Sequence, residues 1–155
     1  MFIARAWIAC SACSPRDSGA QSDLATVAST PTSFEVEVGT GHIDFQSLAD
    51  GGDVELIHGP QGGWHVWTAF RLREVAIKNV RINLFARFEG GSAAGDPSAI
   101  AILLSDPTGG EQTYAGMRDF IHDGNQARGR KIILRVEVIA SDGRHGAGER
   151  TVTAR

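Results

Sequence analysis

The chain has almost no cysteine, since Cys10 and Cys13 are its only two and both lie in the first thirteen residues. The rest of the sequence cannot form an internal disulfide, so its core depends on packing alone. The Cys-Ser-Ala-Cys spacing matches a thioredoxin-type pair, but no βαβ pattern surrounds it and no second pair completes a zinc site. This missing context argues against a redox or zinc function of the pair.

Long hydrophobic runs are also missing. No apolar stretch reaches the roughly 18 residues that a membrane-spanning helix needs, and no long segment has helical periodicity. The 15 lysine and arginine residues are scattered and the net charge is -3, so the basic footprint of a nucleic-acid-binding protein is absent. There is no Gly-x-Ser-x-Gly elbow, P-loop or dinucleotide fingerprint. The sequence thus gives no positive support for enzyme activity, for a cofactor or for a nucleic-acid partner.

What the sequence does contain is many short alternating segments separated by turns, with 19 glycines and 5 prolines. Alternation is clearest over residues 79–88, where every second side chain is apolar. Further strands are predicted over residues 34–38, 53–57, 64–71, 98–104, 130–140 and 148–154. The nearly all-apolar residues 98–104 suit a strand buried on both faces. Residues 111–129 give no clear pattern, since residues 114–122 fit either a short strand or a helical turn. The pattern predicts an all-β antiparallel sandwich of about seven to eight strands.

The C-terminal sequence Leu134-Arg-Val-Glu-Val-Ile-Ala-Ser-Asp-Gly-Arg, followed by a return strand, resembles the closing hairpin of immunoglobulin-like and fibronectin-type domains on bacterial surface proteins. The resemblance covers that hairpin only and implies an immunoglobulin-like sandwich. The antibody-type hallmarks are absent, namely a cysteine pair spanning the sheets and a tyrosine two residues before the second cysteine.

Residues 1–13 have one positive charge, a short apolar run and then small residues, which is the layout of a secretory signal. Their end, Ser11-Ala12-Cys13-Ser14, resembles the processing site of bacterial lipoproteins, and this resemblance implies lipidation of Cys13. Cys10 occupies the position that usually holds leucine in that family. If Cys10 were the lipidated residue instead, Trp7 would occupy the position that usually holds leucine. The alternative is a disordered tail with two incidental thiols.

Residues 14–33 are rich in small and polar residues without periodicity, which predicts a disordered tether. Residues 34–155 then form the sandwich domain. The predicted location is the cell envelope, either as a membrane-anchored lipoprotein or as a secreted protein. Contact with the membrane would occur only through the lipid anchor.

Residues 58–67, His-Gly-Pro-Gln-Gly-Gly-Trp-His-Val-Trp, are the most distinctive stretch. The part from Gly59 to His65 resembles a recurrent element of bacterial envelope proteins, and the resemblance implies no activity. Pairing as a hairpin around a loop of residues 59–63 would bring apolar side chains together in one register. The predicted pairs are Leu56 with Val66, Val54 with Thr68, His58 with Trp64 and Ile57 with His65.

Two other arrangements of this stretch are open. If His58 lay opposite His65, Val66 and Phe70 would share a face with Asp53 and Glu55, which opposes burial. In the other arrangement, the glycine loop arches between the sheets and supplies Trp64 or Trp67 as a core tryptophan.

The sequence therefore predicts an envelope-anchored or secreted binding or structural module without catalytic activity, whose partner is a protein or glycan of the envelope. The predicted ligand-binding residues are those of the glycine-rich loop and the strand after it, namely Gln61, Gly62, Gly63, Trp64, His65 and Trp67. The alternative is a periplasmic zinc- or copper-binding protein that uses His58 or His65. Its further ligand would be a distant histidine such as His42, His122 or His145.

Overall fold

The computed structural model describes residues 33–155, which form two β-sheets packed on a shared hydrophobic core. The predicted signal segment 1–13 with Cys13, and the predicted tether up to residue 32, lie outside the described residues. Within residues 33–155, no helix is long and apolar enough to cross a membrane.

Ten strands and one short helix make up the described chain. In order they are β1 Val36–Thr40, β2 Gln46–Ser47, β3 Gly52–Val54, β4 Ile57–His58, β5 Trp64–Arg73, β6 Asn79–Phe88, β7 Ser98–Leu103, β8 Glu111–Ile121, α1 Gly124–Ala127, β9 Lys131–Ala140 and β10 His145–Ala154. The helix begins after Asp123, whose carboxylate accepts hydrogen bonds from the backbone N–H groups of Asn125 and Gln126.

The first sheet has the order β2-β1-β5-β4, and β8 pairs along the other edge of β5. The second sheet has the order β3-β10-β9-β6-β7. All pairs are antiparallel except β3 with β10, which is parallel. The all-β sandwich is therefore confirmed: seven strands have five or more residues, and three short ones supplement them at the sheet margins.

The predicted alternation of β6 is confirmed and explains where the core lies. Five apolar side chains of β6 are at most 4% exposed, namely Val80, Ile82, Leu84, Ala86 and Phe88. The inward side chains of β9 continue this layer, namely Ile132, Leu134, Val136, Val138 and Ala140. Removal of this apolar area from water is the main favourable contribution to folding.

The prediction of one strand over residues 53–57 is wrong, because the chain changes sheet there. Val54 pairs with Ala154 in the second sheet, whereas Ile57 pairs with His65 in the first. Between them the N–H of Leu56 donates to the carbonyl of Arg155 at 2.8 Å. Val54 therefore does not lie opposite Thr68. Val54 and Leu56 are both buried, and alternation alone does not reveal that they belong to different sheets.

Residues 98–104 form a strand as predicted, but β7 is not buried on both faces. It is the last strand of its sheet and pairs only with β6 among the described strands. Most of its side chains are exposed, and only Leu104, just beyond the strand, is fully buried. An apolar run does not distinguish a central strand from an edge strand.

Candidate functional site

Two of the four predicted pairs of the hairpin around the glycine loop are confirmed. Ile57 lies opposite His65 and His58 lies opposite Trp64. Residues 59–63 close the turn, since the N–H of Gly59 donates to the carbonyl of Gly63 at 2.9 Å and the N–H of Gly62 donates to that of Gly59 at 3.1 Å. The loop joins two strands of one sheet and does not arch between sheets.

The loop and the outward side of β5 and β8 enclose a hollow of about 530 Å³, which we call the outer groove. This volume falls in the range of small-molecule binding sites, roughly 300 to 1,000 Å³. Val66 and Thr68 point inward and are fully buried, so His65 and Trp67 leave β5 on its outer side. The groove is lined by Ile57, His58, residues 59–63, His65, Trp67, Arg118 and Phe120.

Trp67 is the centre of the aromatic cluster at the groove. The ring of His42 stacks on it with centroids 4.2 Å apart, and the ring of His65 meets its edge at 4.9 Å. The guanidinium carbon of Arg118 lies 5.6 Å from the Trp67 ring centroid, a cation–π distance. Phe120, opposite His65 on β8, is 51% exposed. The groove therefore combines planar surfaces with a cation.

The chain after β1 crosses over β5 and fixes His42 on Trp67. The hydroxyl of Thr40 donates to the carbonyl of Trp67 at 2.7 Å, and the N–H of Gly116 donates to the carbonyl of Gly41 at 3.0 Å. At this point β8 has a bulge, because two residues, Ala115 and Gly116, lie opposite one residue of β5. Gly116 has φ +78°, and a Cβ there would lie 2.6 Å from the carbonyl oxygen of His42. Glycine therefore permits the close crossing.

The electrostatics of the outer groove favour an anion. None of its lining residues is Asp or Glu, and Arg118 forms no ion pair with any residue of the described chain. Burial, followed by the charge of Arg118, lowers the pKa of His65. His65 is therefore a neutral imidazole at pH 7, and its buried Nε2 has no hydrogen-bond partner in residues 33–155.

The structure brings five of the six predicted ligand-binding residues together in the groove: Gln61, Gly62, Gly63, His65 and Trp67. Trp64 is not among the lining residues. It packs against the hydrophobic core, and a Cβ on Gly124 would lie within 2.1 Å of its ring.

The two histidines of the metal hypothesis, His58 and His65, both line the outer groove but occupy positions of opposite parity in the register. His58 shares a face with Trp64, whose ring centroid is 4.7 Å from its own, whereas His65 lies on the outer face. Of the distant histidines, His42 stacks on Trp67 and His122 lies 3.0 Å from a carboxylate oxygen of Asp96. His145 lies at the start of β10. In residues 33–155 no group of three or more His, Cys, Asp or Glu side chains is placed to hold a metal ion.

Asp119 is a buried carboxyl group that the sequence did not single out. It lies on β8 between Arg118 and Phe120 but faces the core, opposite Val66. It is 0% exposed, and neither of its carboxylate oxygens has a hydrogen-bond partner in the described structure. Burial raises the pKa of Asp119 to about 7.

The sequence pattern does not identify Arg118 and Phe120 as residues of the site, and the reason is physical. The bulge at Ala115 and Gly116 changes which residues of β8 face inward, from even numbers such as Gln112 to odd numbers such as Met117. A constant two-residue period therefore does not run through β8. Residues 117–121, Met-Arg-Asp-Phe-Ile, give no alternating signal either, because the buried position 119 is an aspartate and the exposed position 120 is a phenylalanine.

No protein-family model matches the chain, and no curated protein shows significant similarity to it.

Proposed function

We propose that this chain is a non-catalytic binding module of the bacterial envelope, an immunoglobulin-like sandwich whose outer groove holds an acidic saccharide. The observation that carries the proposal is the charge of the groove. Arg118 supplies a guanidinium without an ion-pair partner in the described chain, and no carboxylate lines the groove, although the whole chain has a net charge of -3. A guanidinium can bind a carboxylate through two parallel hydrogen bonds.

The planar side chains suit the body of a sugar. Phe120 is half exposed beside Arg118 and Trp67, and an exposed ring offers an apolar surface for the C–H groups of a pyranose. Gln61 is exposed at the rim and carries both a donor and an acceptor for hydroxyl groups. A carboxylate-bearing sugar therefore has a partner in the groove for its charge, its apolar face and its hydroxyls.

Replacement of Arg118 by Gln tests the proposed ligand class. We expect trigalacturonate to bind the wild-type protein and maltotriose, a neutral trisaccharide, to bind much more weakly. Arg118→Gln should weaken trigalacturonate binding by about tenfold or more, because a hydrogen-bonded charge pair is lost. Isothermal titration calorimetry measures both affinities, and the affinity for the acid should fall as salt is added.

Arg81→Gln is the matched control, since Arg81 is also exposed and without a carboxylate partner in the described chain but lies on the second sheet. It should bind trigalacturonate as the wild type does. Equal affinity of the wild type for both trisaccharides, or equal losses in Arg118→Gln and Arg81→Gln, would refute the acidic-saccharide proposal. Amide chemical-shift changes confined to residues away from the groove would refute its location.

The envelope location rests on the sequence of residues 1–13, in which Cys13 is the predicted lipidated residue. Expressed in a bacterial host fed a labelled fatty acid, the full chain should incorporate label. Cys13→Ser should abolish incorporation and Cys10→Ser, the matched control, should not, because only one of the two thiols is expected to be acylated. Label retained in Cys13→Ser would contradict the assignment.

A further inference from the structure

The free edge of β7 has none of the usual protection of an edge strand. Residues 98–103 contain no charge, no proline and no bulge, whereas natural edge strands usually use such features to prevent pairing with other chains. Pro97 and Pro107 lie outside the strand. Within residues 33–155 no strand pairs with this edge, so the backbone of β7 is open there to a further strand.

Exposed apolar side chains concentrate around this edge. Among residues 33–155 five large apolar side chains are exposed, and four of them flank β7. Leu103 (69% exposed) and Ile139 (40%) line a hollow on the outer side of the second sheet. Ile100 (40%) and Phe120 line a cleft of about 410 Å³ between β7 and β8. Apolar surface gathered at an unpaired edge is typical of an interaction site.

The hydrogen bonds between β7 and β6 define which backbone N–H and C=O groups of β7 do not face β6. The N–H of Leu104 donates to the carbonyl of Lys78 at 2.8 Å, so the even-numbered residues of β7 direct their N–H and C=O groups toward β6. Backbone groups alternate in direction along a strand. Those of Ala99, Ala101 and Leu103 therefore point to the free edge.

We propose that the free edge of β7 pairs with β7 of a second copy of this chain, antiparallel, about a two-fold axis at Ala101. In this register Ala101 lies opposite its own counterpart, Ala99 opposite Leu103, and Ile100 opposite Ile102. These pairs exchange about six backbone hydrogen bonds across the axis. An isologous interface of this kind is closed, so pairing ends at a dimer.

Side-chain size and charge favour a second copy as the occupant. On the outer side each small Ala99 faces a large Leu103, and on the inner side two β-branched residues meet, a pairing that stabilises sheets. No charge lies within the strand to repel its counterpart. Of the flanking carboxylates, Asp106 forms an ion pair with Lys78 within each copy, and Asp96 lies 3.0 Å from the Nε2 of His122.

Ala101→Lys in the full chain tests the dimer by sedimentation equilibrium. The wild type should be a dimer, and the substitution should raise the dissociation constant by about 100-fold or more, because two ammonium groups would meet at the axis. Ala147→Lys, at an exposed alanine on β10 of the same sheet, should leave the dimer unchanged. Circular dichroism checks that both variants are folded.

Hydrogen exchange on the wild-type protein tests the same edge without a substitution. The amides of Ala99, Ala101 and Leu103 should become protected as protein concentration rises. A monomeric wild type throughout the micromolar range would overturn the proposal, and so would a dimer that Ala101→Lys leaves intact. Concentration-independent protection of these amides in a monomer would also overturn it, since residues 1–32 of the same chain would then be the occupant.

Discussion

Asp119→Asn is expected to make the protein about 4 kcal/mol more stable at pH 8, because it removes a buried charge that nothing in the described structure compensates. Asp119 is 0% exposed, both its oxygens lack hydrogen-bond partners in residues 33–155, and burial raises its pKa to about 7 from 3.8. Asparagine keeps the shape of the side chain but remains neutral. Urea unfolding of both proteins at pH 8 measures the difference.

The same carboxyl group predicts the pH dependence of the wild type. Below pH 3.8 Asp119 is protonated in both the folded and the unfolded state, so its ionisation does not lower the free energy of unfolding. Between pH 3.8 and about 7 only the unfolded state releases the proton, so the free energy of unfolding falls by about 1.4 kcal/mol per pH unit. Above pH 7 the free energy of unfolding falls no further on account of Asp119. Asp119→Asn should lack this slope.

Other carboxylates act in the opposite direction at lower pH. The hydrogen bond from Arg135 holds the pKa of Glu137 below its ordinary value of 4.5, so the stability that this carboxylate contributes is present above that value and lost as pH falls through its folded pKa. The wild type should therefore lose stability through Asp119 as pH rises above 3.8, and through Glu137 as pH falls through the folded pKa of that group.

Asp44→Asn is the control for a change in net charge, because Asp44 is an exposed aspartate in the segment between β1 and β2. It should change stability by less than about 0.5 kcal/mol at any pH. Parallel pH profiles of the wild type and Asp119→Asn would show that Asp119 is solvated or ionised at no cost, contrary to its position in the core.

The parts of the fold that alternation determines were predictable from the sequence. β6 and β9 each bury one complete row of apolar side chains, and the hairpin register followed from placing Leu56 and Val66 in the core. The change of sheet between Val54 and Ile57 was not predictable, because the side chains on both sides of it are buried. Likewise, the apolar composition of β7 does not reveal that its sheet ends there.

The candidate site was predictable on one side only. Gln61, His65 and Trp67 lie in or near a glycine-rich turn that composition alone makes conspicuous. The opposite wall, Arg118 and Phe120, lies on a strand whose alternation is interrupted by the bulge at Gly116. A groove between two strands distant in sequence depends on their pairing, and pairing is a tertiary property that the local pattern of either strand does not contain.

Gly95→Ala is expected to destabilise the protein by about 3 kcal/mol, because the segment before β7 ties the second sheet to β8 through backbone contacts. The N–H groups of Ala94 and Gly95 donate to the carbonyl of Ala86, and the N–H of His122 donates to the carbonyl of Ala94 at 2.8 Å. A Cβ on Gly95 would lie only 1.6 Å from the carbonyl oxygen of Phe120. In the variant, the backbone at Gly95 or at Phe120 must therefore shift.

Gly90→Ala is the matched control, since a Cβ on Gly90 meets no atom within 4 Å. It should be neutral or slightly stabilising, by up to about 1 kcal/mol, because alanine restricts the unfolded chain more than glycine does. Urea unfolding compares the two variants, and hydrogen exchange should show faster exchange of the His122 amide in Gly95→Ala alone. If both variants were equally stable and kept that amide protected, the segment would not hold β8 against the second sheet. The wall of the outer groove formed by Arg118 and Phe120 would then need another source of rigidity.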